Sequence, residues 1–94
     1  MTRNATELMN AACKFTSLDE LQQLMVEAEN LVRATTAWRH IKYGHPHMAI
    51  GCIFNEPDMR IHVLTMSAYK PKLRTVIYSW PLAEFLTKFE EMDL

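Results

Sequence analysis

Glycine is almost missing from this chain. Only Gly44 and Gly51 occur among 94 residues, so no glycine-rich loop is available to cradle a phosphate. Cysteine is also scarce. Cys13 and Cys52 lie far apart and do not form the tight pairs that zinc sites use. They are expected as reduced thiols in a cytoplasmic-type compartment. No run approaches the 18 apolar residues of a membrane helix. No apolar stretch follows a basic N-terminus, so neither a membrane span nor a signal peptide is expected. Positive charge is not in excess either: the formal net charge is −1 and the isoelectric point about 6.4, whereas phosphate binders usually carry a positive balance.

What is present points to one small α+β domain spanning 1–94. Its centre runs from His47 to Trp80. The stretches at about 47–54, 59–67 and 72–80 are rich in β-branched and aromatic residues, which suit a pleated, half-buried surface. Asn55-Glu56-Pro57-Asp58 separates the first two, and Ala68-Tyr69-Lys70-Pro71-Lys72 separates the last two. Short turns bearing Pro and Asn join antiparallel neighbours, so a three-stranded antiparallel sheet is expected. Alternation places Met48, Ile50, Cys52, Phe54, Met59, Ile61, Val63, Val76, Tyr78 and Trp80 on a core face. The other face takes His47, Ala49, Gly51, Ile53, Arg60, His62, Leu64, Met66, Leu73, Thr75, Ile77 and Ser79. That second face is too apolar for open solvent; either the helix at about 5–14 covers it or another chain does.

Helices flank the strands. Asn4 with Glu7 and Ser17 with Glu20 form capping-box patterns, opening helices at about 5–14 and 18–43. Leu18, Leu21, Leu24, Met25, Ala28, Leu31, Val32, Thr35 and Trp38 recur at helical spacing in the second; Gly44 and Pro46 mark its end unless the β-branched Thr35-Thr36 pair bends or ends it earlier. Such a helix would be about 39 Å long, and its far half, bearing Trp38, would project past the sheet. Pro81 opens a final helix at about 81–91, with Leu82, Phe85, Leu86 and Phe89 along one side. The expected order is α-α-β-β-β-α, with the helices packed on the sheet. Its α-β-β-β-α part is similar in order to double-stranded-RNA-binding domains. The last helix, however, opens Pro81-Leu82-Ala83-Glu84, without a basic start.

No enzymatic constellation emerges. Cys52 and His62 fall on opposite faces, too far apart for a nucleophile and its base. His40, His45, His47 and Cys52 lack metal-ligand spacing. No cofactor is implied. The sequence therefore reads as a small non-enzymatic protein-binding or regulatory protein, an adaptor or inhibitor. Self-association as a homodimer is expected through Leu64, Met66, Leu73 and Ile77, or through the long helix at Trp38. A second reading is a nucleic-acid-binding module built on the basic middle, residues 33–74. Its contacts would be Arg60, Tyr69, Lys70, Lys72 and Arg74.

Overall fold

The computed structural model describes residues 3–35, 37–68 and 76–92. Among these residues are three helices and one five-stranded antiparallel sheet. The helices are α1 (Ala5–Ala12), α2 (Leu18–Val32) and α3 (Leu82–Lys88). The strands are β1 (Trp38–His40), β2 (Pro46–Asn55), β3 (Arg60–Ser67), β4 (Ile77–Pro81) and β5 (Phe89–Glu91), in the spatial order β4-β3-β2-β1-β5. The α+β class is as expected, but the sheet has five strands instead of three. The order is α-α-β-β-β-β-α-β, so the likeness to the RNA-binding order does not hold.

The helix starts follow the sequence signals. Asn4 accepts from Glu7 N at 2.9 Å, and Glu7 returns a contact to Asn4 N, a complete capping box. Ser17 accepts from Glu20 N at 3.1 Å, but the Glu20 carboxylate turns to Thr16 N instead. The helix ends differ. The second helix stops at Val32, not at residue 43. Its final carbonyl would be an orphan acceptor; the Trp38 indole Nε1 donates to Val32 O at 2.7 Å and closes the end. Residues 89–91, expected as helix, form β5. It pairs with β1 through Trp38↔Glu91 and His40↔Phe89.

Strand pairing contains one irregularity that decides the faces. β2 meets β3 through Phe54↔Ile61, Cys52↔Val63 and Gly51↔Leu64, then through Ala49↔Thr65, Met48↔Met66 and His47↔Ser67. Ile50 is an extra, unpaired residue, a β-bulge. Beyond it the alternation inverts. Ala49 and His47 join the Val63 and Thr65 side, while Met48 and Ile50 turn outward and are exposed. This corrects the expected placement of these four residues. Met59, in the left-handed position that closes the turn before β3, and Val76, just ahead of β4, are also exposed and not core residues.

All three helices pack on the side bearing Cys52, Phe54, Ile61 and Val63. Leu8, Leu24, Ala28, Val32, Trp38, Phe85 and Phe89 complete that core. Trp38 is 4% exposed and packs edge-on against Phe85, centroids 4.9 Å apart. It is thus a core residue of β1, not part of a projecting helix. Glu27, also buried, is ion-paired with Arg3, whose backbone N–H donates to the same carboxylate at 3.1 Å.

Trp38→Ala is therefore expected to lower unfolding stability by about 3–5 kcal/mol, the usual cost of emptying a large aromatic site. Denaturant titration checks it; a loss below about 1 kcal/mol would contradict the core placement.

Candidate functional site

Two surfaces on opposite sides of the same strands carry the functional candidates. The first is the sheet face that none of the described helices covers. Leu64, Met66 and Ile77 come together there as expected, with Met66 directly opposite Ile77. Ile53, Met48 and Ile50 extend the patch across β2. Ile77 is 58% exposed, Ile50 41% and Ile53 38%. The helix at Ala5–Ala12 lies on the other side of the sheet, packed on α2 and α3. Trp38 does not belong to this surface. Leu73 lies outside the described residues. Met48 and Ile50 were missed in the sequence because a bulge leaves no mark in the hydrophobic pattern.

One end of this face holds a polar relay. His62 is buried, with Nδ1 2.7 Å from Ser79 Oγ and Nε2 2.6 Å from Asp58 Oδ2. With Nε2–H donating to the carboxylate, Ser79 donates to Nδ1. That hydroxyl–imidazole–carboxylate order is the one serine nucleophiles use. It also has a structural role. Asp58 accepts from Arg60 N at 3.0 Å and from Asn55, closing the β2–β3 turn, a short 3-10 helix at Glu56–Asp58. His62 carries that closure over to β4. Desolvation of Asp58 is the largest single effect and acts upward, but the hydrogen bonds from His62, Asn55 and Arg60 and the charge of His62 together outweigh it and hold the carboxyl below its ordinary range. An oxyanion site and a substrate cavity are the further parts acyl transfer needs, and these contacts do not supply them. Cys52 lies on the opposite face from His62. Burial, aided by the Glu29 charge, pushes its thiol up to about 12, which leaves it inert.

The second surface is on the helix side, at the end of the sheet the helices leave open. It is a cleft of about 160 Å³ lined by His40, Tyr43, His45, His47, Tyr78 and Trp80. The β1–β2 turn supplies Tyr43 and His45; Gly44 permits it, since φ there is +73°, a value costly for other residues. β4 supplies Tyr78 and Trp80. The imidazoles of His40 and His47 are buried between these pairs. His40 lies 4.8 Å from Tyr43 and 6.1 Å from Trp80, and His47 lies 5.4 Å from Tyr78.

A hydrogen-bond chain fixes this arrangement across three strands. Trp80 Nε1 donates to Thr65 Oγ1 at 2.9 Å, and Thr65 meets His47 Nδ1 at 3.1 Å. The Thr65 hydroxyl thus bridges the indole and the imidazole, its role toward His47 set by the imidazole tautomer. Desolvation by burial is the main reason both imidazoles titrate below their ordinary value. Lys88, His45 and Lys42 add to it at His40, as do His40 and His45 at His47.

Of the nucleic-acid contacts expected from the basic middle, Arg60 alone falls within the described residues. Arg60 stands at the turn end of β3, seven residues from Ser67, the partner of His47, or roughly 20 Å along the strand. Arg39 is paired with Glu90 at 2.8 Å. Tyr69, Lys70, Lys72 and Arg74 lie outside the described residues. Among the described residues, no group of three His, Cys, Asp or Glu is placed to hold a metal ion, and no helix is long and apolar enough to cross a membrane. Comparison with known proteins finds no matching family model, curated protein or solved structure.

The low histidine values carry a pH dependence. The unfolded chain protonates His40 and His47 near 6.5, the folded chain only at lower pH. Below about pH 6.5 the unfolded state therefore binds more protons, and stability falls. The Tm should be level between about pH 7.5 and 8.5 and decline as pH drops through 6.5. Thermal unfolding of wild type and His47→Asn checks this; a wild-type Tm that rises below pH 6.5 would refute the assignment.

Proposed function

We propose that this chain acts by binding protein instead of by catalysis, and that its partner is a second copy of itself, docked through the helix-free sheet face. One observation carries the reading. The described helices all lie on one side of the sheet, and the other side presents Met48, Ile50, Ile53, Leu64, Met66 and Ile77. A contiguous apolar surface of this kind marks a binding site more often than a solvent face.

The choice of a second copy follows from charge. Between Ile53 on one side and Ile77 on the other, the residues facing out from β2, β3 and β4 are uncharged. Arg60 and the Asp58–His62 pair sit at one end. A face without net sign has no electrostatic means of selecting an oppositely charged partner. It is complementary to its own two-fold copy. The free thiols Cys13 and Cys52 suit a reducing compartment such as the cytoplasm.

Light scattering at low and high salt tests the reading. The expected result is a dimer that survives high salt, as apolar burial does and surface charge pairing does not. Leu64→Asp combined with Ile77→Asp should give a folded monomer, since both side chains reach solvent in the isolated chain. A wild-type monomer at all salt concentrations would overturn the dimer. Hydrolysis of an activated ester that is lost in both Ser79→Ala and His62→Ala would overturn the non-catalytic reading and give the relay a chemical role.

A further inference from the structure

The cleft on the helix side is not used by the reading above, and its construction is specific enough to name a ligand. Two pairs of nearly parallel rings line it. Tyr43 and His45 are stacked at 29°, with centroids 6.3 Å apart; Tyr78 and Trp80 are stacked at 26° and 6.1 Å. A cavity near 150 Å³ holds a benzene-sized ring, so about 160 Å³ accepts one flat ring system. The cleft shares His40 and Tyr43 with a wider pocket of about 350 Å³ that includes Lys42, Thr87 and Lys88. Each wall carries an ammonium group: Lys42 Nζ lies 5.3 Å from the Tyr43 ring centre, and Lys88 Nζ lies 6.0 Å from that of Trp80.

These features exclude the usual occupants of aromatic clefts. A quaternary ammonium, held by ring faces elsewhere, would meet two lysines of its own sign. A polyproline segment uses an aromatic-lined groove, commonly with an indole N–H as donor, but the Trp80 N–H is already bonded to Thr65. A plain hydrocarbon would leave the lysines without a role. What fits is a flat heteroaromatic ring joined to an anion. Lys88 pairs with Glu84 at 3.4 Å across exposed surface, a weak contact that a phosphate can displace.

We propose that this cleft binds a nucleotide, its base stacked between the Tyr43–His45 and Tyr78–Trp80 walls and its phosphate held by Lys42 and Lys88. The neutral His40 and His47 rings form the floor beneath the base. Each uses Nδ1 within the fold, toward Tyr43 N and Thr65 respectively, so their orientation is preset. The nucleotide comes either free or as a unit of a single strand, which offers the same base and phosphate.

Calorimetric titration of the whole chain with AMP, adenosine and a ten-nucleotide oligo(A) tests the proposal. AMP should bind saturably and adenosine more weakly. Tyr43 is exposed, so Tyr43→Ala should fold normally and lose about 5- to 150-fold in AMP affinity, the range of one base–aromatic stack. Lys42→Ala with Lys88→Ala should weaken AMP and erase its advantage over adenosine. Oligo(A) binding at least tenfold tighter than AMP, with a log–log salt slope of about −1.4 from two lysines, would assign a single strand. Equal affinities would assign the free nucleotide. No binding by AMP or oligo(A) at millimolar concentration would overturn the proposal. So would unchanged affinity in both variants of a protein whose circular dichroism matches the wild type. Neither outcome depends on the oligomeric state, because the two surfaces lie on opposite sides of the sheet.

Discussion

The unpaired residue Ile50 in β2 governs what both faces of this sheet present. An extra residue in one strand shifts its alternation by one position. On the turn side of the bulge, Cys52 and Phe54 point to the helices and Ile53 points away. On the other side, His47 and Ala49 point to the helices while Met48 and Ile50 point away. Without the bulge, His47 would face outward among Leu64, Met66 and Ile77, and would interrupt the apolar patch with an imidazole. The cleft would lose the ring that meets Thr65. Gly51, next to the bulge, belongs to the same device: a Cβ there would come within 3.0 Å of Glu29 Oε1, so α2 approaches the strand where the side chain is smallest.

The inversion divides the helix side of the sheet into two regions of different chemistry. Under the helices lie Cys52, Phe54, Ile61 and Val63, apolar groups that need only shape and volume. At the other end lie His47, Thr65, Ser67, Tyr78 and Trp80, whose polar atoms need directed partners. The Trp80–Thr65–His47 chain meets that need across β4, β3 and β2. A buried polar chain of this kind restricts the strands to one register, since a two-residue slip keeps the faces but separates the three groups. The short β1 and β5 strands close the region from the far edge: Phe89 packs 5.0 Å from His40 and 5.1 Å from His47.

The parts legible in the sequence are those fixed by local chemistry. Asn4, Ser17 and Pro81 mark helix starts within one residue, because a cap needs only its own side chain and the next turn. The Pro57 turn and the outward side of β3 and β4 also follow from short-range pattern. The end of α2 was legible only in part. Leu31, Val32, Thr35 and Trp38 keep helical spacing, and Thr35-Thr36 offered an earlier stop; the observed end at Val32 is capped by the Trp38 indole on Val32 O, a tertiary bond between residues the pattern placed in one helix. β1 and β5 were missed for a related reason. Three residues are too few to show a period of two. Phe89-Glu90-Glu91 continues the apolar spacing of α3, and only pairing with β1, with Arg39 against Glu90, makes it a strand. A cue existed in Trp38-Arg39-His40, whose alternation of burial is that of a half-buried strand.

The two surfaces share strands yet remain separable, and the pleat is the reason. Along β3, Leu64 and Met66 face out while Thr65 and Ser67 face in; on β4, Ile77 and Ser79 face out while Tyr78 and Trp80 face in. A partner on the outer face touches none of the side chains that line the cleft. Coupling between the surfaces would have to pass through the register of β3 and β4, and that register is held twice. The Trp80–Thr65–His47 chain holds it from the inside, and the Ser79–His62–Asp58 relay holds it from the outside. Each spans the β3–β4 pair at a different point, so slipping one strand past the other must break both sets of buried or half-buried bonds together. Occupancy of either surface therefore meets a frame with one available geometry. That rigidity also accounts for the outer relay without assigning it a reaction: Ser79 and Asp58 are the outward groups best placed to lock the strand pair from that side.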